Sequence, residues 1–186
     1  MLSKLNITRR LILLVFLIQI GVAIIVGLLF QNSHDLMEST DWVIHTEKAL
    51  ERISTIEKHI VDLETGQRGF LITGKESYLE PFKKSKESIF EELEQFKILT
   101  SDNSKQTQEV EILSPILRDK IAELEQTIAL RRNTSYEAAK AVVDTDLGKN
   151  LMDEIMLHTG HLRDEELRLL DIRVIAPDQA RINTNR

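Results

Sequence analysis

The sequence predicts an all-α protein, in which an N-terminal transmembrane helix continues into an extracytoplasmic antiparallel four-helix bundle. Three observations support this fold class. A twenty-residue apolar run lies near the N-terminus, apolar residues recur three and four positions apart from about residue 36 to 172, and the 186 residues include only seven Gly and three Pro. The three–four spacing is typical of helices, whereas an all-β chain needs many more turn residues.

The first predicted element is a membrane anchor at residues 11–30. This run carries no charge, and Gln19 is its one polar side chain. As a helix it would be about 30 Å long, which matches the hydrocarbon core of a bilayer. A cleaved signal peptide has a shorter apolar region followed by small residues, and a buried helix is seldom apolar on every side. We therefore favour a retained anchor over these two alternatives.

The flanking charges predict the orientation of this anchor. Lys4, Arg9 and Arg10 precede it, and the first acidic residues, Asp35 and Glu38, follow it. Positive charge is retained on the cytoplasmic side of a membrane. We expect residues 1–10 in the cytoplasm, one span in the inner (plasma) membrane, and the bulk of the chain in the periplasm or outside the cell.

The outer region, residues 34–172, shows four segments with helical periodicity, which predict long helices packed at shallow angles. The first, third and fourth have aliphatic stripes, and the second is richer in aromatic residues that we expect to fill the core. The stripes are Leu50, Ile53, Ile56, Ile60 and Leu63; then Tyr78, Phe82, Ile89, Phe90, Leu93 and Phe96; then Val110, Leu113, Leu117, Ile121, Leu124 and Ile128; and finally Leu151, Ile155, Leu162 and Leu169.

Polar and glycine-containing stretches predict where these helices end. The predicted connectors are residues 74–77, 100–104 and 133–135, with an interruption of the fourth segment at 144–148. Ser77 and Ser135 are candidate N-caps. Pro81 falls in the first turn of a helix, where proline costs little. Pro115 predicts either a kink in the third helix or a helix that begins just before it.

The composition excludes several kinds of chemistry. With no Cys, the chain has no disulfide, thiolate metal site or thiol nucleophile. A net charge of −6 argues against nucleic-acid binding. No hydrolase, metalloprotease or phosphate-loop motif occurs. We therefore predict no enzyme activity and no cofactor.

One histidine pair invites a metal interpretation. His158 and His161 stand one turn apart, and Glu154 and Glu165 each lie four residues from one of them. A di-iron bundle needs Glu-x-x-His on two helices, and no such motif occurs on any other helix. His158 also falls in the apolar stripe of the fourth segment. We therefore favour a hydrogen-bonded, half-buried histidine and predict no metal.

The most unusual stretch is residues 64–74, ETGQRGFLITG, which holds three of the seven glycines. One interpretation is a helix whose glycines let a neighbouring backbone come close, with Arg68 paired to a carboxylate on an adjacent helix. The other is a helix end with a glycine C-cap. The residues alone favour neither. We further expect Gly69 at a close helix contact and Gly148 in a looser break.

Two motifs resemble a known family. The stretch ETGQRGFLITGKESYLEPF, beginning at Glu64, resembles the signature of the third family of CHASE sensor domains, and GKNLMDEI, beginning at Gly148, resembles a later pattern of that family. The resemblance covers about residues 40–171. It implies an all-helical extracytoplasmic sensory input domain of a bacterial receptor, with an unknown ligand. Glu64, Gln67, Arg68 and Gly69 match the first motif, and they are the candidate ligand- or signal-sensing residues.

The end of the chain departs from that family. A receptor of this kind enters a second membrane helix, but residues 173–186 are polar and are expected to be disordered. We therefore expect an input domain without its output domain, either as a truncated receptor or as a standalone protein. Expected partners are the lipid bilayer, a second copy of the chain and a receptor or kinase. The alternative is an anchored helical scaffold or accessory subunit that binds another membrane protein.

Overall fold

The computed structural model describes residues 7–176, without the side chains of residues 7–10, 32, 34–36 and 38. Over this range the chain is helical and contains no β-strand. The elements are α1 (Ile7–Thr73), a 3₁₀ turn (Glu76–Leu79), α2 (Glu80–Leu99), α3 (Ser104–Asn133), α4 (Tyr136–Val143), α5 (Leu147–Leu170) and a π-helical turn (Asp171–Ile175). The chain divides into two compact units, Met1–Ile44 and His45–Arg186.

In the first unit, Leu11–Gln31 is long and apolar enough to cross a membrane. Its large apolar side chains from Leu11 to Phe30 are exposed, each by at least 45%. Exposed apolar side chains around the whole helix are what a lipid environment favours and water does not.

The second unit is an antiparallel bundle, as its cross-helix contacts show. Arg52 on α1 pairs with Glu92 on α2, and His59 contacts Ser85, so later residues of α1 meet earlier residues of α2. The same reversal relates α2 to α3 and α3 to α5, so α1 and α5 also run in opposite directions. The pairs that define it are Lys97–Glu111 and Lys86–Glu125 (α2 with α3), Asn103–Glu165 and Lys120–Gly148 (α3 with α5), and Glu57–Arg163 (α1 with α5).

The core follows the predicted stripes. On α1, buried positions repeat at alternating steps of three and four; on α3 a similar repeat is present, and both stripes contain polar residues. The α1 stripe is Thr46, Ala49, Ile53, Ile56, Ile60, Leu63, Gln67 and Phe70; the α3 stripe is Gln106, Val110, Leu113, Leu117, Lys120, Leu124 and Thr127. A heptad-type repeat of this kind packs helices at shallow crossing angles.

The predicted helix caps, the prolines and Tyr78 have mixed outcomes in the structure. Ser135 caps α4, because its hydroxyl accepts from the backbone amide of Ala138, and Pro81 lies in the first turn of α2. Ser77 does not cap a helix: it lies inside the 3₁₀ turn, and α2 has no side-chain cap. Tyr78, predicted in the core, is 46% exposed. Pro115 lies inside α3, so no helix begins there.

The fourth predicted segment is two helices. Residues 144–146 separate α4 from α5, and Asp146 adopts a left-handed backbone with φ of 60°, which stops α4 and redirects the chain into α5. Residues 173–175 of the predicted tail belong to the π-helical turn, and the rest of that tail, from residue 177, lies outside the described residues.

Candidate functional site

The two sequence motifs meet around one buried lysine. Lys120 on α3 is 1% exposed. Its Nζ donates to the backbone oxygen of Gly148 at 2.8 Å, and it lies 3.3 Å from Glu123 Oε2 and 3.5 Å from Glu64 Oε1. A buried ammonium needs partners of opposite charge. Here the first motif supplies a carboxylate, Glu64, and the second supplies a hydrogen-bond acceptor, the carbonyl of Gly148.

A cavity of about 430 Å³ opens beside this lysine, between α1, α3, α4 and α5. This volume falls within the range of small-molecule sites. Its wall combines an apolar surface with the charged cluster. The lining residues are Leu71, Ile72, Leu124, Tyr136, Val143 and Met152 on the apolar side, and Glu64, Gln67, Arg68, Lys120, Glu123, Lys140, Asp146, Gly148, Lys149 and Asp153 on the polar side.

The predicted sensing residues occupy different positions around this cavity. Glu64 bridges Lys120 and Arg68, because Arg68 Nη2 donates to its Oε1 at 2.9 Å. Arg68 therefore pairs along its own helix, and the pairing with a carboxylate on an adjacent helix, which was one of the two interpretations of this stretch, is not found in the part of the chain that the structure describes. The side chain of Arg68 is 68% exposed. It pairs with Glu64 because residues four apart lie on the same face of a helix.

Gln67 lines the cavity but is anchored in the core. It is 2% exposed, and its Nε2 donates to Thr127 Oγ1 at 2.7 Å. Thr127 in turn donates to the backbone oxygen of Leu124. This chain of hydrogen bonds fixes α1 against α3 at the cavity.

The glycine stretch contains both a close helix approach and a helix C-cap, each at different glycines, although the expected pairing of Arg68 with an adjacent helix is absent among the described residues. A Cβ at Gly69 would lie 2.5 Å from Tyr78 Cδ1, and one at Gly66 would lie 3.0 Å from the backbone nitrogen of Phe82. These two glycines let α1 pass close to the start of α2. Gly74 has φ of +68° just after α1 and is its C-cap. Gly69 thus shapes the helix packing and does not line the cavity.

Gly148 is also a close contact, contrary to the looser break that we expected. A Cβ there would lie 2.8 Å from Glu123 Oε2 and 3.0 Å from Lys120 Nζ. The absence of a side chain at this position leaves room for the ends of the Glu123 and Lys120 side chains against the first turn of α5.

Sequence reasoning missed Lys120 and Glu123. The sequence does contain an indication of Lys120, because this lysine stands between Leu117 and Leu124 in the three–four repeat of α3. A lysine at such a core position is uncommon without partners.

A second polar cluster lies nearer the other end of α3. The Nδ1 atoms of His158 and His161 donate to the same oxygen, Glu109 Oε1, at 2.6 and 2.8 Å. Burial alone would raise the pKa of Glu109. The hydrogen bonds from the two histidines outweigh burial and hold this pKa below its ordinary value. His158 is half-buried and hydrogen-bonded. The carboxylate that it meets is Glu109, and neither Glu154 nor Glu165 belongs to this group.

Comparison with known proteins identifies the family. A sequence model of the CHASE3 domain matches residues 39–175. The chain belongs to the CHASE3 domain family. Its structure resembles the crystal structure of the Rhodopseudomonas palustris histidine kinase HK9 sensor domain, with a TM-score of 0.62 and 25% identity, and the match covers 67% of this chain and 97% of that chain. No curated protein sequence matches the chain.

The CHASE3 domain is a sensory input domain of a signal-transduction receptor and is not itself a catalytic module. Its combination with one apolar N-terminal helix fits a single-pass membrane protein. The cavity at Lys120 and the cluster at Glu109 both lie within the CHASE3 domain.

Proposed function

We propose that the cavity beside Lys120 is the signal-binding site of this CHASE3 domain. The observation that carries the proposal is the meeting of both family-like motifs at one cavity with a buried, partnered lysine. Functional pockets are mostly apolar with convergent polar groups, and most of the surface of this cavity is apolar although many of its lining residues carry polar groups. The ligand is a small organic molecule with an apolar body and one polar head group.

The two halves of such a ligand have different contacts in the cavity. Its apolar body packs on Leu71, Leu124 and Met152, and its head group reaches the charges formed by Glu64, Lys120 and Glu123. Because Lys120 touches α1 through Glu64 and α5 through Gly148, a ligand that replaces one of these contacts changes the packing of both helices against α3. Differential affinity for two helix arrangements is what a sensor requires.

The signal leaves the domain through α1, because this helix contains residues that line the cavity and also the apolar segment Leu11–Gln31. We propose that the bulk of the chain lies outside the cytoplasm, that the chain pairs with a second copy, and that a kinase-type partner provides the output. The histidine kinase sensor domain to which the structure is similar supports this kind of partner.

A ligand screen with a blocked cavity tests the proposal. We expect at least one compound, from a panel of aliphatic and aromatic carboxylates and amines, to raise the Tm of the full chain in detergent by several degrees. A ligand at 100 times its Kd adds about 2.7 kcal/mol of stability. Val143→Trp, at the exposed rim of the cavity, should abolish the shift.

The matched control is Met156→Trp, at an exposed residue of α5 that does not line the cavity. It should keep the shift. A shift that survives Val143→Trp would place binding elsewhere on the molecule and contradict the proposal.

A further inference from the structure

Three metal-binding side chains converge on one point between α3 and α5. Glu109, His158 and His161 offer one ligand atom each, all within 4.8 Å of one another. The sequence predicted no metal because a second ligand-bearing helix was missing. In the structure, α3 supplies that second helix through Glu109.

The orientation of the rings is already suited to a common ligand. Both Nδ1 atoms point at Glu109 Oε1, at 2.6 and 2.8 Å, and the two rings stand nearly perpendicular, with centroids 5.7 Å apart. Donors about 2.0–2.1 Å from a tetrahedral Zn²⁺ lie about 3.3 Å from one another. A cation therefore needs these side chains to separate by less than about 1 Å, with each ring carrying its proton on Nε2.

The site has one shielded side and one open side. The side chains of His158 and Glu109 are 17% and 19% exposed, whereas His161 is 52% exposed. A shallow cavity of about 300 Å³ adjoins Glu109 and His161, which leaves room for water as a further ligand. Two imidazoles and one carboxylate with an open position match the ligand set that Zn²⁺ and similar cations accept.

The neighbouring charges do not block this site. Lys105 lines the same shallow cavity, and its Nζ lies 3.7 Å from Glu165 Oε2. Glu165 also accepts from Asn103 and Arg168, so its carboxylate is already engaged and is not needed as a ligand.

We propose that Glu109, His158 and His161 bind a divalent transition-metal cation such as Zn²⁺. The cation joins α3 to α5 eleven residues along α3 from Lys120, a rise of about 16 Å. The site is separate from the cavity beside Lys120, so this inference does not depend on the proposed function.

Calorimetric titration of Zn²⁺ into the untagged, EDTA-treated full chain in nanodiscs tests this site. We expect saturation at one equivalent, and no binding of Mg²⁺, which prefers oxygen ligands. Co²⁺ should give visible absorption bands in the wild type. Loss of a residue that merely supports a metal ligand costs 10–100-fold in affinity, so His161→Gln and Glu109→Gln should each weaken Zn²⁺ binding by at least about tenfold.

His59→Gln is the matched control, because His59 is another half-buried histidine, held by Ser85 between α1 and α2. It should bind Zn²⁺ as the wild type does. His161 is half exposed, so His161→Gln decides the matter if Glu109→Gln unfolds. Absence of saturable binding, or equal affinity in His161→Gln and the wild type, would overturn the proposal.

Discussion

At the scale of single residues, Glu166 is a carboxylate in a core position with half of its hydrogen-bonding capacity unused. It is 1% exposed, and its Oε1 accepts from Gln106 at 2.9 Å. Its Oε2 has no hydrogen-bond partner among the described residues. Burial raises the pKa of Glu166, Asp102 adds to the rise, and Gln106, His45 and Arg173 oppose it.

This raised pKa predicts a specific pH dependence. The folded chain holds the proton of Glu166 at pH values where the unfolded chain has lost it, so stability falls as the pH rises from the ordinary value of 4.5 through the folded pKa. Glu166→Gln removes this loss. We expect the variant to be more stable than the wild type at pH 8, on the order of 1 kcal/mol, with a smaller difference near pH 4.5.

Urea unfolding of the full chain in detergent across this pH range gives the comparison. Glu165, whose pKa the hydrogen bond from Arg168 helps to lower to about 2, has the opposite effect: its stabilisation is lost as the pH falls below 4.5. It is present in both proteins, so it cancels in the difference. A difference that does not change with pH would contradict the prediction.

The residues that sequence reasoning misplaced share one physical cause. The partner of Arg68 is Glu64, four residues away on its own helix, and such a partner is available without ordering another element. Lys120 and Ile121 are adjacent and both are buried, and which helix each of them meets depends on how the helices pack. Composition and periodicity do not contain that information, because it arises only when α1 and α5 pack on α3.

At the scale of elements, Gly69 in α1 and Gly160 in α5 have opposite roles. Gly69 faces Tyr78 at a distance that leaves no space for a Cβ, whereas Gly160, inside α5, has nothing within 4 Å of that position. Glycine in a helix interior costs about 1 kcal/mol relative to alanine. At Gly160 no neighbouring atom would clash with an alanine side chain, so the structure gives no packing reason for a glycine there.

A pair of alanine substitutions therefore has opposite expected effects. Gly160→Ala should raise the stability of the full chain by up to about 1 kcal/mol. Gly69→Ala should lower it by about 1–3 kcal/mol, because Tyr78 must be displaced. Thermal unfolding followed by circular dichroism distinguishes them. Equal shifts of the same sign would mean that α1 and the 3₁₀ turn do not pack as described.

The elements themselves were largely predictable, and the exceptions lie at their ends. The three–four stripes predicted the buried faces of α1, α2, α3 and α5. The break in the fourth segment was also predicted from Asp144 to Gly148, but the left-handed φ of Asp146 was not, because a non-glycine residue seldom adopts it. Ser77 lost its predicted capping role because the chain first makes a 3₁₀ turn, a detail that depends on the close contact at Gly69.

At the scale of the whole molecule, the fold class and family were accessible from the sequence, whereas the cavity was not. Fold class depends on periodicity and on an apolar run, which are local properties of the chain. The cavity depends on Glu64, Lys120 and Gly148, which are far apart in sequence and belong to three helices. The two motifs marked its walls, but only packing brings them together around one lysine.

Topology is the last property of the whole chain that can be tested, and the absence of cysteine makes the test simple. Lys4, Arg9 and Arg10 precede the apolar segment, so residues after it should lie outside the cytoplasm. Ser101, between α2 and α3, is exposed. In intact bacterial spheroplasts, a membrane-impermeant maleimide should label Ser101→Cys, whereas the control Ser3→Cys should react only after lysis. The reverse pattern would place the cavity and the histidine cluster in the cytoplasm, where neither could receive an external signal.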